Sequence, residues 1–434
     1  MLKFEFYKLL RHKVLIVLVT LALTAYYISM AFYGSFNSFS GGAIQYFWES
    51  DVYRQFQMSQ IPTVVDEAWI AELDAEYRAF IDENMVPPEQ VQSNIDAQKA
   101  QGIIIEFDAD EALENRYDID YAIGLLPRDA YDSLVMEYIF FEAYHIYIPL
   151  ATDPVGYMRQ EYEAYDGSMM ENVGVTYGEF LGYTEAQMED FWKTIEASYP
   201  DMEMVVGYCF GWDVLCGVMQ YLPFCLGVAL IVVLGNLFSQ EHTSGMTPIL
   251  RTLKKGRGRL LRAKLTAALT VATVLWLFFQ LAMLTAVALT YGLDGAACTA
   301  MQYREPSIYG LSWLEFYLIQ CAFSYCGTLV FALFVCCVSS LLKPRLAMPV
   351  NLVLTLLTGQ DMAAFCYATQ AYSAVDKILI LSPAQLMASY PTLQVYQSYE
   401  FGSFIIQLPH MTALAIAAEA LLMLCFLHRR EGGK

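Results

Sequence analysis

Long apolar runs separated by charged segments dominate the pattern of this chain. A helix needs about 20 apolar residues to cross a bilayer, and six runs reach that length. They cover residues 14–33, 214–238, 265–291, 316–342, 346–367 and 404–427. With 57% hydrophobic and 16% charged residues, the chain also differs from soluble proteins, which are roughly a quarter charged. The pattern predicts an all-α polytopic membrane protein with six transmembrane helices.

The basic residues indicate how these helices are oriented. If six spans alternate, 16 of the 25 basic residues fall on one side of the membrane, and Lys and Arg are retained on the cytoplasmic side of short loops. These residues lie in segments 3–13, 251–264, 343–345 and 429–434. We therefore expect both termini in the cytoplasm and the protein in the plasma membrane. The first run is longer than a signal-peptide core and lacks a following cleavage pattern, so it is expected to stay as an anchor.

Residues 34–205 are predicted to form an acidic extracellular domain. Between Gly34 and Glu203 the sequence has 34 acidic and 7 basic side chains, but it is too rich in aromatic and aliphatic residues for simple disorder. Thr184 and Gln187 have the spacing of a capping box that opens a helix over 185–198. Residues 66–84 repeat its apolar periodicity, and the run 138–150 predicts a buried helix. The domain is therefore predicted to be mainly helical.

An acidic cluster in this domain has two interpretations. Its members are Asp108, Asp110, Glu111, Glu114, Asp118 and Asp120. The cluster lacks the central glycine and the spacing of a calcium-binding loop, so a solvated negative surface is favoured over a metal site. The functional alternative is electrostatic attraction of a cationic substrate or peptide.

The ten cysteines avoid the acidic domain. This favours a bacterial cell, because secreted eukaryotic domains of this size are often disulfide-bonded. Most of the cysteines lie inside predicted spans, where cysteine behaves as a small apolar residue. Cys209 and Cys298 are the pair placed to meet outside the membrane, although the sequence alone does not favour a bond between them.

The sequence has no motif for chemistry of its own. It contains no Gly-x-x-x-x-Gly-Lys-Ser/Thr phosphate loop, no His-Glu-x-x-His zinc pair and no Gly-x-Ser-x-Gly nucleophile elbow. We therefore predict no catalytic, cofactor or metal site in this chain and no nucleic-acid partner. Transport, anchoring and sensing remain as function classes.

The segment 239–264, between the second and third runs, is the most informative part of the sequence. Its candidate site residues are Glu241, Gly245, Ile249, Leu250 and Arg259. The rule for basic loops explains the Lys and Arg residues here, but it does not explain Glu241 and Gly245. A helix over 240–253 would put Ile249 and Leu250 on an apolar side that suits docking into a groove of a soluble partner.

This order of residues resembles the intracellular elbow of type 2 ATP-binding-cassette (ABC) exporter permeases. In that family an acidic residue and a glycine precede a Gly-Arg and then a Lys at the start of the next membrane helix. The wider plan is similar as well, with an interfacial helix at 1–13, six spans, a partly polar outer segment at 368–403 and a cytoplasmic tail at 429–434. The large domain after the first span departs from the simplest members.

The resemblance implies the permease subunit of an exporter, which forms the membrane pathway and is coupled to a separate ABC ATPase subunit through the elbow. ATP and Mg would then bind to that partner and not to this chain. It also implies a dimer, either with a second copy or with a similar permease, surrounded by membrane lipid. The segment 1–13 has the pattern of a helix lying flat in the headgroup layer, and a charged flank that sets topology explains it equally well.

Three polar residues inside predicted spans are candidates for the pathway: Glu419, Gln280 and Asn351. An intramembrane carboxylate such as Glu419 is a functional candidate by default, for coupling to a proton or to a cationic substrate. Hydrogen bonding to a polar group on a neighbouring helix is the alternative. A different function also stays open, that of a non-transporting membrane sensor or assembly factor whose acidic domain binds a ligand.

Overall fold

The computed structural model describes residues 2–9, 13–37, 63–127, 139–165, 183–199, 203–239, 256–302, 305–306, 308–358, 377–388, 393, 396–402 and 404–432. These residues are mostly helical. Within them, five helices are long and apolar enough to cross a membrane. This agrees with the helical, multi-pass character that the apolar runs predict.

The first described elements are two helices and the acidic region, by which we mean residues 34–203. The helices are α1 (Leu2–Leu9) and α2 (Lys13–Asn37). The acidic region contains β1 (Thr63–Val64), α3 (Glu67–Asn84), α4 (Val91–Ala100), α5 (Ala109–Glu114), α6 (Ala122–Leu125), a π-helix (Ala143–Tyr147), α7 (Ile148–Thr152), α8 (Pro154–Tyr165) and α9 (Glu185–Ser198).

Two apolar cores hold the acidic region together. In the first core Tyr77, Ile95 and Phe140 are completely buried. The second core is built around Ile195 and includes Val206, which lies in strand β2 (Val205–Val206) and pairs antiparallel with β1. The small sheet thus extends one residue beyond the boundary predicted at 205.

The local helix signals of the acidic region are confirmed. The Asp66 carboxylate accepts a hydrogen bond from the Trp69 amide at 2.9 Å and so caps α3. Thr184 and Gln187 form the predicted reciprocal capping box at the start of α9. The described part of the run 138–150 is helical, interrupted by the π-helix, and one side of it is buried while Phe141 is exposed. Backbone capping and apolar periodicity therefore determine these elements locally.

The rest of the chain supplies four of the five candidate membrane helices and two short hairpins. The elements are α10 (Phe210–Val218), a 3₁₀ turn (Met219–Tyr221), α11 (Leu222–Leu234), α12 (Gly256–Thr290), β3 (Met301–Gln302), β4 (Glu305–Pro306), α13 (Trp313–Leu341), α14 (Pro344–Leu357), a 3₁₀ turn (Gln385–Met387), β5 (Ser398–Phe401), β6 (Phe404–Gln407), α15 (Leu408–Leu427) and a π-helix (His428–Gly432).

Two of the long helices occupy the centre of the bundle. In the most apolar stretch of the candidate spans Phe210–Leu234 and Trp313–Leu341, 67% and 61% of the residues are buried. In the other three spans the share of buried residues is between 11% and 28%. Leu15, Leu281 and Leu422 are among the large apolar side chains exposed on those outer helices. Soluble proteins rarely expose apolar surface on this scale, so these faces fit contact with lipid or with further membrane helices.

The predicted span at 346–367 is not established as a membrane helix. Its described part lies in α14, which has 14 residues, and residues 359–376 lie outside the described ranges. A helix of that length is about 21 Å long at 1.5 Å per residue, shorter than the roughly 30 Å hydrocarbon core. The described residues thus support five long spans.

The predicted start of the last span, at 404, is wrong. Residues Phe404–Gln407 form β6, which pairs antiparallel with β5 from Ser398↔Gln407 to Phe401↔Phe404. The run Phe404-Ile405-Ile406 is apolar enough to join the following helix in a hydropathy count, but β-branched and aromatic residues also favour strands. Pro409, in the first turn of α15, marks where the helix begins.

The last residues of the predicted elbow, which ends at 264, are helical. Residues from Gly256 onward are helical and continue without a break into the third span as α12. Leu261 and Ala263 are buried, while Arg259 and Arg262 are exposed. Arg259 and Arg262 therefore lie on the solvent-facing side of the first turns of a helix whose other side packs on the bundle.

Candidate functional site: the elbow and its framework

Only one of the five predicted coupling residues lies among the described residues. Glu241, Gly245, Ile249 and Leu250 lie outside the described residues, as does the helix predicted over 240–253. Arg259 lies in the second turn of α12, with its side chain exposed. The structure therefore describes the two segments that flank the middle of the elbow. The first flank ends at Ser239, and the second begins at Gly256.

The flank that follows α11 is held by one serine on the central helix α13. The Ser339 hydroxyl oxygen accepts hydrogen bonds from the backbone amides of Phe238 (3.2 Å) and Ser239 (3.3 Å). Both serine side chains are completely buried. Buried backbone amides that lack a partner are costly, so Ser339 fixes the chain at the point where it leaves α11.

The other flank is joined to the first by a buried lysine. Lys264 is only 2% exposed, and its Nζ lies 4.5 Å from the centroid of the Phe238 ring. A buried ammonium over an aromatic face is stabilised by the ring quadrupole. Lys264 therefore connects the base of α12 with the end of α11, and it is the lysine of the predicted Gly-Arg-then-Lys order.

The chain ends pack onto the same framework. Arg430 donates two hydrogen bonds to the carbonyl oxygen of Ser340, from Nε at 3.0 Å and from Nη2 at 2.8 Å. Ser340 lies in the last turn of α13, where carbonyls have no partner within the helix, so the guanidinium caps that end and favours its dipole. The π-helix that carries Arg430 also packs against α12.

Helix α1 packs against α12 as well. Its Glu5 is 1% exposed and lies 3.5 Å from Lys8, and Glu5 Oε2 has no hydrogen-bond partner among the described residues. Phe4 and Tyr7 are instead exposed. The helix predicted within 1–13 is thus present, and its exposed aromatic face is suited to a headgroup layer.

Together these contacts gather four of the basic segments at one end of the bundle. The base of α12, the end of α13 and both chain ends meet around the elbow's flanks. The framework therefore links α11, α12 and α13 at the two flanks of the elbow. The tandem serines Ser339 and Ser340 were missed by sequence reasoning, and the only signal for them is a pair of small polar residues closing an apolar run.

The three candidate pathway residues are not brought together. Gln280, Asn351 and Glu419 lie on α12, α14 and α15, and each has a buried side-chain atom without a hydrogen-bond partner among the described residues. Asn351 Nδ2 donates to the Ala347 carbonyl of its own helix at 2.8 Å. This local bond satisfies part of Asn351 without a neighbouring helix, and the three residues do not form a common polar site.

A second polar cluster, unforeseen from the sequence, joins the acidic region to the hairpin that precedes α15. The Asp190 Oδ2 atom of α9 accepts hydrogen bonds from the Tyr396 hydroxyl (2.7 Å) and from Gln407 Nε2 (3.0 Å). Gln407 also donates to Thr194 at 2.7 Å. Burial raises the pKa of Tyr396, so its hydroxyl remains a proton donor. We call this cluster the α9–hairpin junction.

The same junction is reinforced from the capping box. Gln187 Nε2 donates to the carbonyl of Ser398 at 2.8 Å, and the Thr184 hydroxyl donates to Glu400 at 3.0 Å. Because β6 leads directly into α15, the acidic region is attached to the last membrane helix through a few consecutive residues. A displacement of α9 would therefore act directly on α15.

The acidic cluster has a structural explanation. Asp108 caps α5 in a capping box with Glu111, and Asp118 caps the following 3₁₀ turn. No group of metal-ligating side chains is found among the described residues. Helix capping therefore accounts for Asp108 and Asp118, two of the six acidic residues of the cluster.

Comparison of the chain with protein-family models, with curated proteins and with solved structures gives no match. The class that the fold defines is a helical protein with several helices able to cross a membrane.

Proposed function

We propose that this chain is the permease subunit of an ABC exporter. It forms half of a membrane pathway and dimerises with a second copy or a similar permease. A separate ATPase subunit binds at the elbow and drives transport. ATP and Mg bind to that subunit. The observation that carries the proposal is the framework in which Ser339 and Lys264 fix both flanks of the elbow to the central helix and to each other.

The proposal explains why the framework is polar and buried. An element that transmits force must be held on both sides, and hydrogen bonds made in a water-poor interior are directional and costly to break. A loop that only connects two membrane helices needs no such attachment. The exposed Arg259 and Arg262 lie beside the flank, where they are available to an acidic surface of a soluble partner.

The remaining parts of the proposal concern topology. The chain crosses the plasma membrane of a bacterial cell six times, with α14 contributing to the fifth crossing. The acidic region lies outside the cell, and the basic end of the bundle lies in the cytoplasm, as the retention of Lys and Arg favours. The apolar faces of α2, α12 and α15 contact lipid or the second permease.

Affinity purification of the detergent-solubilised chain from its native host tests the proposal. The samples are the wild type, Glu241→Arg and Arg259→Glu, with Glu83→Arg as the matched control, a charge reversal on the exposed side of α3. We expect an ABC ATPase to co-purify with the wild type and the control, and to be reduced at least about tenfold in the two elbow variants, as for loss of a charged contact at an interface.

Two other outcomes would contradict the proposal. Recovery of no ATPase with any sample would reject the transporter and leave the alternative, a membrane sensor or assembly factor whose acidic region binds a ligand. The α9–hairpin junction is the observation that favours this alternative, because it links the acidic region to a membrane helix. Equal ATPase recovery from all four samples would retain the transporter but reject the elbow as its docking site.

A further inference from the structure

The start of α10 packs tightly against the loop that follows α12. Four hydrogen bonds join the two segments. The Tyr208 hydroxyl donates to the Tyr291 carbonyl (2.7 Å), the Trp212 indole to the Leu293 carbonyl (3.0 Å), the Thr299 amide to the Val205 carbonyl (2.9 Å) and the Val205 amide to the Thr299 hydroxyl (3.1 Å). These bonds place residues 205–212 beside residues 291–299 along their length.

A glycine allows the two backbones to approach closely. Gly295 has φ +73°, and a Cβ added there would collide with the Tyr208 carbonyl oxygen and lie 3.0 Å from the Cys209 Cα. The Cys298 amide donates to the Gly295 carbonyl at 3.0 Å, and the Trp313 amide donates to the Cys298 carbonyl at 3.0 Å. Cys298 is thus held in a fixed turn that begins at Gly295, and Gly295 itself lies against the backbone of Cys209.

The two side chains lie close enough to perturb each other, since their interaction raises the pKa of Cys209 and lowers the pKa of Cys298. Both cysteines are free in this structure. Cys298 is 1% exposed, and Cys209 is half-buried. The other described cysteines lie within the candidate spans, so among the described residues this is the one cysteine pair outside them.

We propose that Cys209 and Cys298 form a reversible disulfide bond, which ties the start of α10 to the loop between α12 and α13. The site goes beyond transport or sensing and is independent of which of these is correct. A disulfide needs two sulfurs that can approach to about 2 Å with little backbone movement. The hydrogen-bonded segments and the close approach at Gly295 hold the two cysteines near each other with little freedom of the backbone.

The bond would form by exchange with a disulfide donor, R–S–S–R. Cys209, the more exposed thiol, loses its proton and attacks the donor, which releases one R–SH and leaves a mixed disulfide on Cys209. The Cys298 thiolate then attacks the Cys209 sulfur and releases the second R–SH. The two cysteines lose two electrons and two protons, and the donor gains both.

The order of attack follows from exposure, because Cys209 is half-buried whereas Cys298 is 1% exposed. Its interaction with Cys298, together with burial, raises the pKa of Cys209, so the first attack is slow at neutral pH. Cys298 then acts as the internal nucleophile on the mixed disulfide. A dithiol reductant reverses both steps. The bond would close a loop of about 90 residues, so it would link elements far apart in the chain.

Counting free thiols in the purified full-length chain tests the proposal. The chain is treated in detergent with oxidised glutathione or with dithiothreitol, unfolded in SDS and labelled with a maleimide–polyethylene glycol. We expect two fewer labels on the wild type after oxidation than after reduction. The matched control is the double variant Cys209→Ser/Cys298→Ser, which should show no difference between the two treatments.

Peptide mapping of the wild-type chain under non-reducing conditions provides a second measurement. We expect a fragment in which Cys209 is joined to Cys298 and which separates when reduced. An unchanged label count in the oxidised wild type, or the same loss of two labels in the double variant, would overturn the proposal. Because the mapping uses the wild-type chain, it remains decisive even if the variant is poorly produced.

Discussion

At the scale of single residues, one glycine fixes how the central helix packs. Gly327 is buried in α13 and faces the 3₁₀ turn Gln385–Met387. A Cβ added at Gly327 would collide with the carbonyl group of Leu386, which is backbone and cannot rotate away. The position therefore requires glycine for close approach, although glycine is a poor helix former.

We predict that Gly327→Ala lowers the free energy of unfolding by at least about 2 kcal/mol, because overpacking against backbone forces the helix and the turn apart. Thermal unfolding of the detergent-solubilised chain measures the change. The matched control is Gly217→Ala in α10, where an added Cβ meets nothing within 4 Å. Its effect should be neutral, or stabilising by up to about 1 kcal/mol. Equal losses in both variants would contradict the packing argument.

A pH dependence follows from Asp74 in α3. Its carboxylate accepts hydrogen bonds from Arg78 Nε at 2.8 Å and from the Tyr144 hydroxyl at 3.1 Å, and the bond from Arg78 is the main reason that the pKa of Asp74 is lowered. A lowered folded-state pKa stabilises the protein above the unfolded value of about 3.9. That contribution is lost as the pH falls through the folded pKa.

We therefore predict that Asp74→Asn is destabilising at pH 7 and that the difference from wild type becomes smaller at about pH 3, below the unfolded pKa of about 3.9. The effect at pH 7 should be under about 1 kcal/mol, because the Asp74 and Arg78 side chains are 41% and 50% exposed. Thermal unfolding at both pH values measures it, with Glu83→Gln on the same helix as control. A difference that persisted unchanged at low pH would exclude the carboxylate as its cause.

At the scale of elements, local signals and long-range contacts differ in how far the sequence reveals them. The capping box at Thr184 and Gln187 predicts the start of α9 because all of its atoms lie within one turn. The contact of Asp190 with Tyr396 joins residues more than 200 positions apart, and neither residue type is unusual on a helix or before a strand. The candidate site has the same property, since Ser339 gives no local sign that it binds Phe238.

Hydropathy alone predicts the wrong start for the last span. It includes Phe404, Ile405 and Ile406 in the helix, although these residues pair in a hairpin. An apolar run can be a strand or part of a helix, and periodicity cannot separate the two over so few residues. Pro409 was the available signal, since proline is favoured in the first turn of a helix.

The α9–hairpin junction gives a prediction at this scale. Asp190→Ala leaves the Tyr396 hydroxyl and the Gln407 amide without their common acceptor, so we expect a loss of roughly 1.5–3 kcal/mol, the range for hydrogen bonds to charged groups. Asp190→Asn keeps an acceptor and should lose less. Limited proteolysis across a temperature series measures the loss. We expect cleavage at the α9–hairpin junction to begin at a lower temperature in the variant than in the wild type.

The neighbouring residue supplies the control for that experiment. Glu189 forms an exposed pair with Lys193 at 2.6 Å, with side chains 68% and 66% exposed. Exposed pairs of this kind contribute little to stability because water and salt screen them, so Glu189→Ala should behave almost as the wild type. A cleavage temperature shifted as far in Glu189→Ala as in Asp190→Ala would show that the junction has no special role.

At the scale of the whole molecule, basic segments and the acidic region lie at opposite ends of the helix bundle. The base of α12, the end of α13 and both chain ends form a basic end, while the acidic region joins the bundle through the hairpin before α15. The sequence predicted this separation from charge alone, since the retention of Lys and Arg does not depend on packing. It could not predict which contacts hold each end.

We predict that the acidic region is outside the cell and that the basic end is inside. One epitope is inserted at the exposed turn between Gln101 and Gly102, where a loop tip tolerates insertion, and a second follows Lys434. Antibody should reach the first epitope in intact cells and the second only after permeabilisation, because moving the 16 basic residues of the other end across the membrane is unfavourable. The reverse pattern would invert the topology, and with it the assignment of the elbow to a cytoplasmic ATPase.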